Sequence, residues 1–196
     1  AFPDWVRDAV MRNMESLNSY PANDGSEPLR RAICGWVNRR YGVALDADRQ
    51  VMALNGTREG LYNAAMALCP EVKNGQTPVI LMPNPFYQVY MIAAMSVSAE
   101  PIFVPATGDT GHLPDYAALP SDILDRTAIV YICSPANPQG AVASREYWRG
   151  LLALAEKHDF RIFADECYSE IYRDTPPPGA LQVAQDIGAD PERVVI

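Results

Sequence analysis

Ala128-Ile129-Val130-Tyr131-Ile132, a stripe at Leu151, Leu152, Leu154 and Ala155, and then Arg161-Ile162-Phe163-Ala164 make up the stretch that decides the fold. The first run is apolar throughout and does not alternate, as a strand reads when both of its faces are covered. The stripe follows helical spacing and marks a helix ending near His158. The third segment is a second strand. Strand, helix, strand is the unit of a parallel sheet. The alternation continues on both sides. Val51-Met52-Ala53-Leu54, Val79-Ile80-Leu81-Met82, Ile102-Phe103-Val104 and Val194-Val195-Ile196 read as further strands. Leu29, Ile33, Trp36 and Val37 place one more helix, and Leu61, Ala64, Ala65 and Leu68 another. The expected fold class is α/β, a mostly parallel sheet sandwiched by helices.

The composition agrees with a folded α/β domain. The chain has 196 residues, 48% hydrophobic and 20% charged, enough for one sizeable domain with a buried core. Sixteen basic against 24 acidic residues give a net charge of −8, which argues against nucleic acid and anionic membranes as partners. No apolar run approaches the ~20 residues that span a bilayer. The four cysteines (Cys34, Cys69, Cys133, Cys167) have no CxxC spacing and only two histidines accompany them, so no metal site or disulfide framework is expected. A reducing cytoplasm is the expected compartment. Pro176-Pro177-Pro178-Gly179 reads as a surface loop. The chain opens at Ala1 and closes on the strand-like Val194-Val195-Ile196, so a single incomplete domain, a piece of a longer protein, is expected.

In open α/β sheets, ligands bind beyond the carboxyl ends of the strands. Four post-strand segments therefore carry the candidate chemistry. Asn55-Gly56-Thr57 joins a strand to a helix, where glycine permits close backbone approach and the helix start attracts a phosphate. The same segment also reads as a plain turn with Thr57 as helix cap. Pro83 to Tyr90 holds Phe86, Tyr87 and Tyr90, which either stack on a planar ligand or pack in the core. Ser134 to Gly140 contains two X-Pro bonds, each free to be cis, and presents the Asn137 amide either to a ligand or to its own backbone. Asp165-Glu166-Cys167-Tyr168 places a carboxylate directly after a buried strand, where it needs a cationic or proton-donating partner unless it caps a helix. No GxGxxG or GxxxxGK[ST] pattern is present. Together the four segments offer an anion seat, a stacking ring, a fixed amide, a deep carboxylate and a phenol. That set matches a planar, phosphorylated pyridine with a ring nitrogen and a phenolic oxygen.

Five segments in order resemble the class I/II aminotransferases, enzymes of pyridoxal-5′-phosphate (PLP) fold-type I. Tyr20 to Arg30 resembles the family segment whose tyrosine reaches the phosphate of the neighbouring subunit. Asn55-Gly56-Thr57-Arg58-Glu59 resembles the phosphate loop. Pro85-Phe86-Tyr87-Gln88-Val89-Tyr90 resembles the segment whose first tyrosine stacks on the pyridine. Asn137-Pro138-Gln139-Gly140 resembles Asn-Pro-Thr-Gly, with Gln139 in place of the threonine. Asp165-Glu166-Cys167-Tyr168 resembles Asp-Glu-x-Tyr. The resemblance implies a homodimer acting on amino acids and 2-oxo acids. It implies PLP bound by Gly56, Thr57, Arg58, Tyr87, Asn137, Asp165, Tyr168 and the neighbour's Tyr20, with Asp165 catalytic on the pyridine nitrogen and no metal. It further implies that 1–196 is part of the PLP-binding large domain, with 1–19 the linking helix. Three segments are similar to N-succinyldiaminopimelate aminotransferases of lysine synthesis, whose anionic substrate would make Arg58 a partner at the mouth. Neither Lys73 nor Lys157 lies in the Ser-x-Ser-Lys-like context of the family's Schiff-base lysine, so the fragment alone is expected to be inactive. The resemblance also covers a β-carbon–sulfur lyase, or a noncatalytic PLP-binding regulatory module.

Overall fold

The computed structural model describes residues 2–196. Five of the six apolar runs become strands: β1 (Val79–Asn84), β2 (Glu100–Pro105), β3 (Thr127–Cys133), β4 (Arg161–Asp165) and β5 (Val194–Val195). They form one parallel sheet in the order β2-β1-β3-β4-β5. The central strands β1 and β3 are buried along nearly their whole length, whereas β2 is half open at its edge. That burial on both faces is the reason the central runs do not alternate. The chain leaves β1 for β2 on one side and returns to β3 on the other. The direction of winding therefore switches between β1 and β3, and a crevice opens there at the carboxyl ends.

The helices cover both faces. The helices α3 (Thr57–Leu68) and α4 (Gln88–Ser96) pack on the face that carries Ile80, Met82, Ile129, Tyr131 and Phe163. The alternate residues Leu81, Val130, Ile132 and Ile162 are also fully buried. They face the helices α6 (Arg145–His158) and α7 (Ala180–Ile187), which bury Trp148, Leu151, Leu152, Val183 and Ala184. Burying each of the Leu and Val side chains contributes roughly 1.5–3 kcal/mol. Helix α6 starts where the Ser144 hydroxyl accepts from the Tyr147 amide at 3.1 Å, and stops at Asp159 in the left-handed region, φ 53°.

At the amino end of the sheet, the Lys73 ammonium donates to the Thr127 carbonyl at 2.6 Å, to that of His158 at 2.9 Å and to that of Asp159. It ties the start of β3 to the end of α6. The short helix α5 (Ser121–Arg126) precedes β3, and its Asp125 carboxylate pairs with His158 Nδ1 at 2.7 Å.

The chain divides into two compact units. The first comprises the residues up to Arg40 with Ala44–Leu54, and the second Tyr41–Val43 with Asn55–Ile196. The first contains α1 (Asp4–Arg12) and most of α2 (Glu27–Tyr41). Its anchor is Arg30, which pairs with Asp24 at 2.8 Å and Asp48 at 3.0 Å and donates to the Ala47 carbonyl at 2.9 Å. Gly25 has φ 89°, and a Cβ there would stand 2.4 Å from that of Ala53, so only glycine fits.

Two expectations need correction. Val51 to Leu54 is not a strand. The Ala53 amide donates to the Asp24 carbonyl at 2.9 Å, and the segment forms no ladder because it closes on the loop at Gly25 inside the first unit. Pro176 to Gly179 is a loop, but not a surface one throughout. Pro177 and Gly179 are buried, and the Trp148 indole donates to the Pro178 carbonyl at 3.2 Å.

Candidate functional site

Because the strands are parallel, the segments following β1, β3 and β4 all emerge at one edge, beside the switch between β1 and β3. The site begins with Asp165, the last residue of β4. Its Oδ2 accepts from the Tyr90 hydroxyl at 2.7 Å, and its Oδ1 faces the Cys167 amide at 3.4 Å. No basic side chain pairs with it among the described residues. A half-buried carboxylate held by a phenol and a long backbone contact, with no cation beside it, is a ready acceptor for a cationic N–H.

Tyr90 lies under the site as part of an aromatic column. It stacks on Tyr131 with centroids 4.3 Å apart, Tyr131 meets Phe163 edge-on at 5.3 Å, and Tyr87 meets Tyr90 edge-on at 5.7 Å. The Tyr131 hydroxyl donates to the Leu61 carbonyl at 2.8 Å, fixing the column to α3. Burial, followed by the Asp165 charge and hydrogen bond, drives the Tyr90 phenol far above its ordinary pKa, so it stays a donor. The sequence reading treated Tyr90 as one of three crowded aromatics and missed this role. Its signal, a tyrosine three residues after Tyr87, is also that of a core ring.

Tyr87 is half-buried, and its hydroxyl accepts from Arg58 Nε at 2.8 Å. Arg58 Nε is thus taken up by Tyr87, while the side chain stays exposed. Gly56 caps α3 with φ 155° and ψ 154°, and no side chain caps this helix start. Thr57, which the plain-turn reading made the cap, is instead the first helical residue. A Cβ on Gly56 would stand 2.7 Å from Glu59 Oε2. That exposed carboxylate meets the positive end of the helix in the way a bound anion would.

Asn137 Nδ2 donates to the Tyr168 hydroxyl oxygen at 2.9 Å. The phenolic proton of Tyr168 is then free to be donated outward. Both peptide bonds, Ser134-Pro135 and Asn137-Pro138, are cis, as is Asn84-Pro85. Asn137 and Tyr168 line an open cleft of about 520 Å³ together with Ile171, Tyr172 and Arg173. The eighth residue, Tyr20, is fully exposed in the first unit.

The donor set fits the phosphorylated pyridine. A carboxylate without a cation suits a ring N–H, a Tyr168 hydroxyl oriented by the Asn137 amide suits a phenolic oxygen, and an uncapped glycine-led helix start suits a phosphate. The arrangement defines the class: a parallel α/β domain with a cofactor cradle along the carboxyl edge of its sheet. The family model for aminotransferase class I and II matches residues 1–196, and the chain belongs to that family, whose cofactor is PLP. The chain is 35% identical over 185 residues to the LL-diaminopimelate aminotransferase of Desulforudis audaxviator, covering 93% of this chain and 46% of that protein. With the LL-diaminopimelate aminotransferase of Moorella thermoacetica, the figures are 37% over 174 residues, 87% and 43%. A crystal structure of an aminotransferase from Neisseria meningitidis superposes with a TM-score of 0.91 at 34% identity, covering 99% of this chain and 49% of that one. Aminotransferase AspB from Helicobacter pylori gives 0.89 at 35%, covering 99% and 50%. The chain thus spans about half the length of the relatives it matches. Those curated relatives are named for LL-diaminopimelate, where the sequence reading had pointed to the N-succinyl form.

Proposed function

We propose that the protein carrying this chain transfers an amino group between an amino acid and a 2-oxo acid, and that residues 1–196 belong to its PLP-binding large domain, with 1–19 as the linking segment. The observation that carries the reading is the Asp165 carboxylate, held by the Tyr90 hydroxyl and lacking a cation of its own. PLP, when bound, supplies the carbonyl carbon that exchanges the amino group and the electron-poor ring that draws charge from it. Asp165 keeps the proton on the ring nitrogen, and Tyr90 keeps Asp165 aimed. Tyr168 and Asn137 donate to the phenolic oxygen. The amides that follow Gly56 would hold the phosphate, and the Tyr87 ring, braced by Arg58, would lie against the pyridine. Tyr20 acts across a homodimer on the neighbour's phosphate, an assignment its full exposure supports. The compartment is the cytoplasm.

The relatives' names favour LL-diaminopimelate as the amino donor, and we propose 2-oxoglutarate as the acceptor, in lysine synthesis. Arg173 is the basic side chain in the lining of the cleft and is the candidate for the substrate's distal carboxylate. The test is an assay of the whole protein with LL-diaminopimelate and with its N-succinyl derivative, each with and without 2-oxoglutarate. Turnover of the free diamino acid that requires the 2-oxo acid is expected. Turnover of the N-succinyl form alone would reverse the substrate assignment. Elimination without any 2-oxo acid would make the protein a lyase, and PLP binding without turnover would make it a regulatory module.

A further inference from the structure

We infer that Cys133, Asp165 and Cys167 form a site for one thiophilic divalent cation of the zinc class, and that this cation and the pyridine nitrogen of PLP exclude each other at Asp165. The second half rests on the function proposed above; the first does not. The two cysteines are far apart in sequence, but the parallel register of β3 on β4 sets Cys133 level with Asp165. The turn after β4 then brings Cys167 back over the same carboxylate. The two Sγ atoms and a carboxylate oxygen of Asp165 all lie within 4.8 Å of one another. A tetrahedral zinc holds thiolates at about 2.3 Å and carboxylates at about 2.0–2.2 Å. Its ligand atoms are therefore roughly 3.5–3.8 Å apart. Cys167 is exposed and Cys133 only half-buried, so side-chain rotation closes the difference.

The donor types decide the cation. Two sulfurs and one oxygen select zinc-class ions over magnesium or calcium, and three protein ligands leave a fourth position open. The Tyr90 hydroxyl holds Oδ2 from behind, which orients the carboxylate as outer-shell partners of metal ligands do, while Oδ1 faces Cys167. Binding is an ion exchange. One cation enters, two thiol protons leave to solvent, and no oxidant is consumed. With a cation on its carboxylate, Asp165 has no charge left to offer a ring N–H.

Cobalt(II) is the probe, titrated without oxygen into the whole protein that carries this chain, in the absence of PLP. One cobalt per chain should bind with thiolate-to-cobalt charge-transfer absorption, and zinc should displace it. Cys167→Ser and Cys133→Ser should each weaken binding at least tenfold, while the double variant Cys34→Ser, Cys69→Ser binds as the parent does. Cys167 is exposed, so Cys167→Ser decides the matter even if Cys133→Ser does not fold. No charge-transfer absorption, or absorption that survives Cys167→Ser undiminished, overturns the cation site. PLP at a hundred times its own Kd should then weaken cobalt binding about a hundredfold. PLP that binds without moving the cobalt affinity overturns the exclusion. Failure of PLP to bind at all removes the cofactor reading and the exclusion together, and leaves the cation site standing.

Discussion

The two ends of the parallel sheet treat polar groups in opposite ways. At the amino end, the Lys73 ammonium is saturated by the carbonyls of Thr127, His158 and Asp159, and Arg193 divides itself between Glu156 at 2.7 Å and Asp159 at 2.9 Å. At the carboxyl end, Asp165 has no cation, α3 has no side-chain cap, and Tyr168 keeps a proton free to donate. One end closes its hydrogen bonds within the chain, apart from the buried His158 Nε2. The other holds donors and acceptors in place for a ligand, which is how preorganised sites are built. Substitutions should separate accordingly, with activity lost at one end and stability at the other.

The largest effect is expected at Asp165. In the whole protein, Asp165→Ala should cost about 3–4 kcal/mol of barrier, on the order of 10²–10³ in kcat, by analogy with removal of a preorganised charge partner. Asp165→Glu should cost far less, and urea unfolding of Asp165→Ala should match the parent. Near-normal turnover in Asp165→Ala would dissolve the contrast, because the unpaired carboxylate would then have no ligand to serve.

At the other end, Lys73→Met should lower stability by about 2–4 kcal/mol, since it strands carbonyls that a charged donor now satisfies. Urea midpoints measure the loss, and PLP affinity should change less than twofold. A loss of PLP binding without a loss of stability would show that the two ends are coupled.

Tyr90 sharpens the comparison because it belongs to both regimes, a fully buried ring whose hydroxyl reaches the site. Tyr90→Phe keeps the stack on Tyr131 and removes one hydrogen bond to a charge, worth about 1.5 kcal/mol at the low end of such bonds. PLP affinity should fall about tenfold, with a smaller change in the urea midpoint. An unfolded Tyr90→Phe would mean that the hydroxyl serves the core first.

What the sequence made legible follows from the same physics. The runs at 79, 102, 128, 161 and 194 read as strands because burial on both faces leaves no room for polar residues. Val51 to Leu54 has the same apolar reading but leaves Met52 and Leu54 exposed and joins no ladder, and apolarity alone does not distinguish the two. Asp165, Asn137, Tyr168 and Gly56 were legible because each follows a strand or starts a helix. The pairing of Tyr90 with Asp165 and the meeting of Cys133 with Cys167 were not. Both depend on strand order and register, which juxtapose residues dozens of positions apart.

The smallest expected effect tests the closed end at its surface. The Arg193 hydrogen bond, outweighing a modest desolvation, holds the Asp159 carboxyl below its ordinary pKa of 3.8. A carboxyl lowered on folding stabilises the protein above its unfolded pKa, and that stabilisation disappears as pH falls through the folded value. Asp159 is largely exposed and is screened by solvent, so the pair is worth no more than about 0.5 kcal/mol. Asn also tolerates the left-handed backbone that Asp159 adopts, so Asp159→Asn removes the charge and keeps the turn. Urea unfolding at neutral pH should find Asp159→Asn weaker by about that amount. At a pH below the folded value of Asp159 the two proteins should coincide, and high salt should shrink the neutral difference. A gap that persists in acid would assign the effect to the turn at the end of α6, not to the charge.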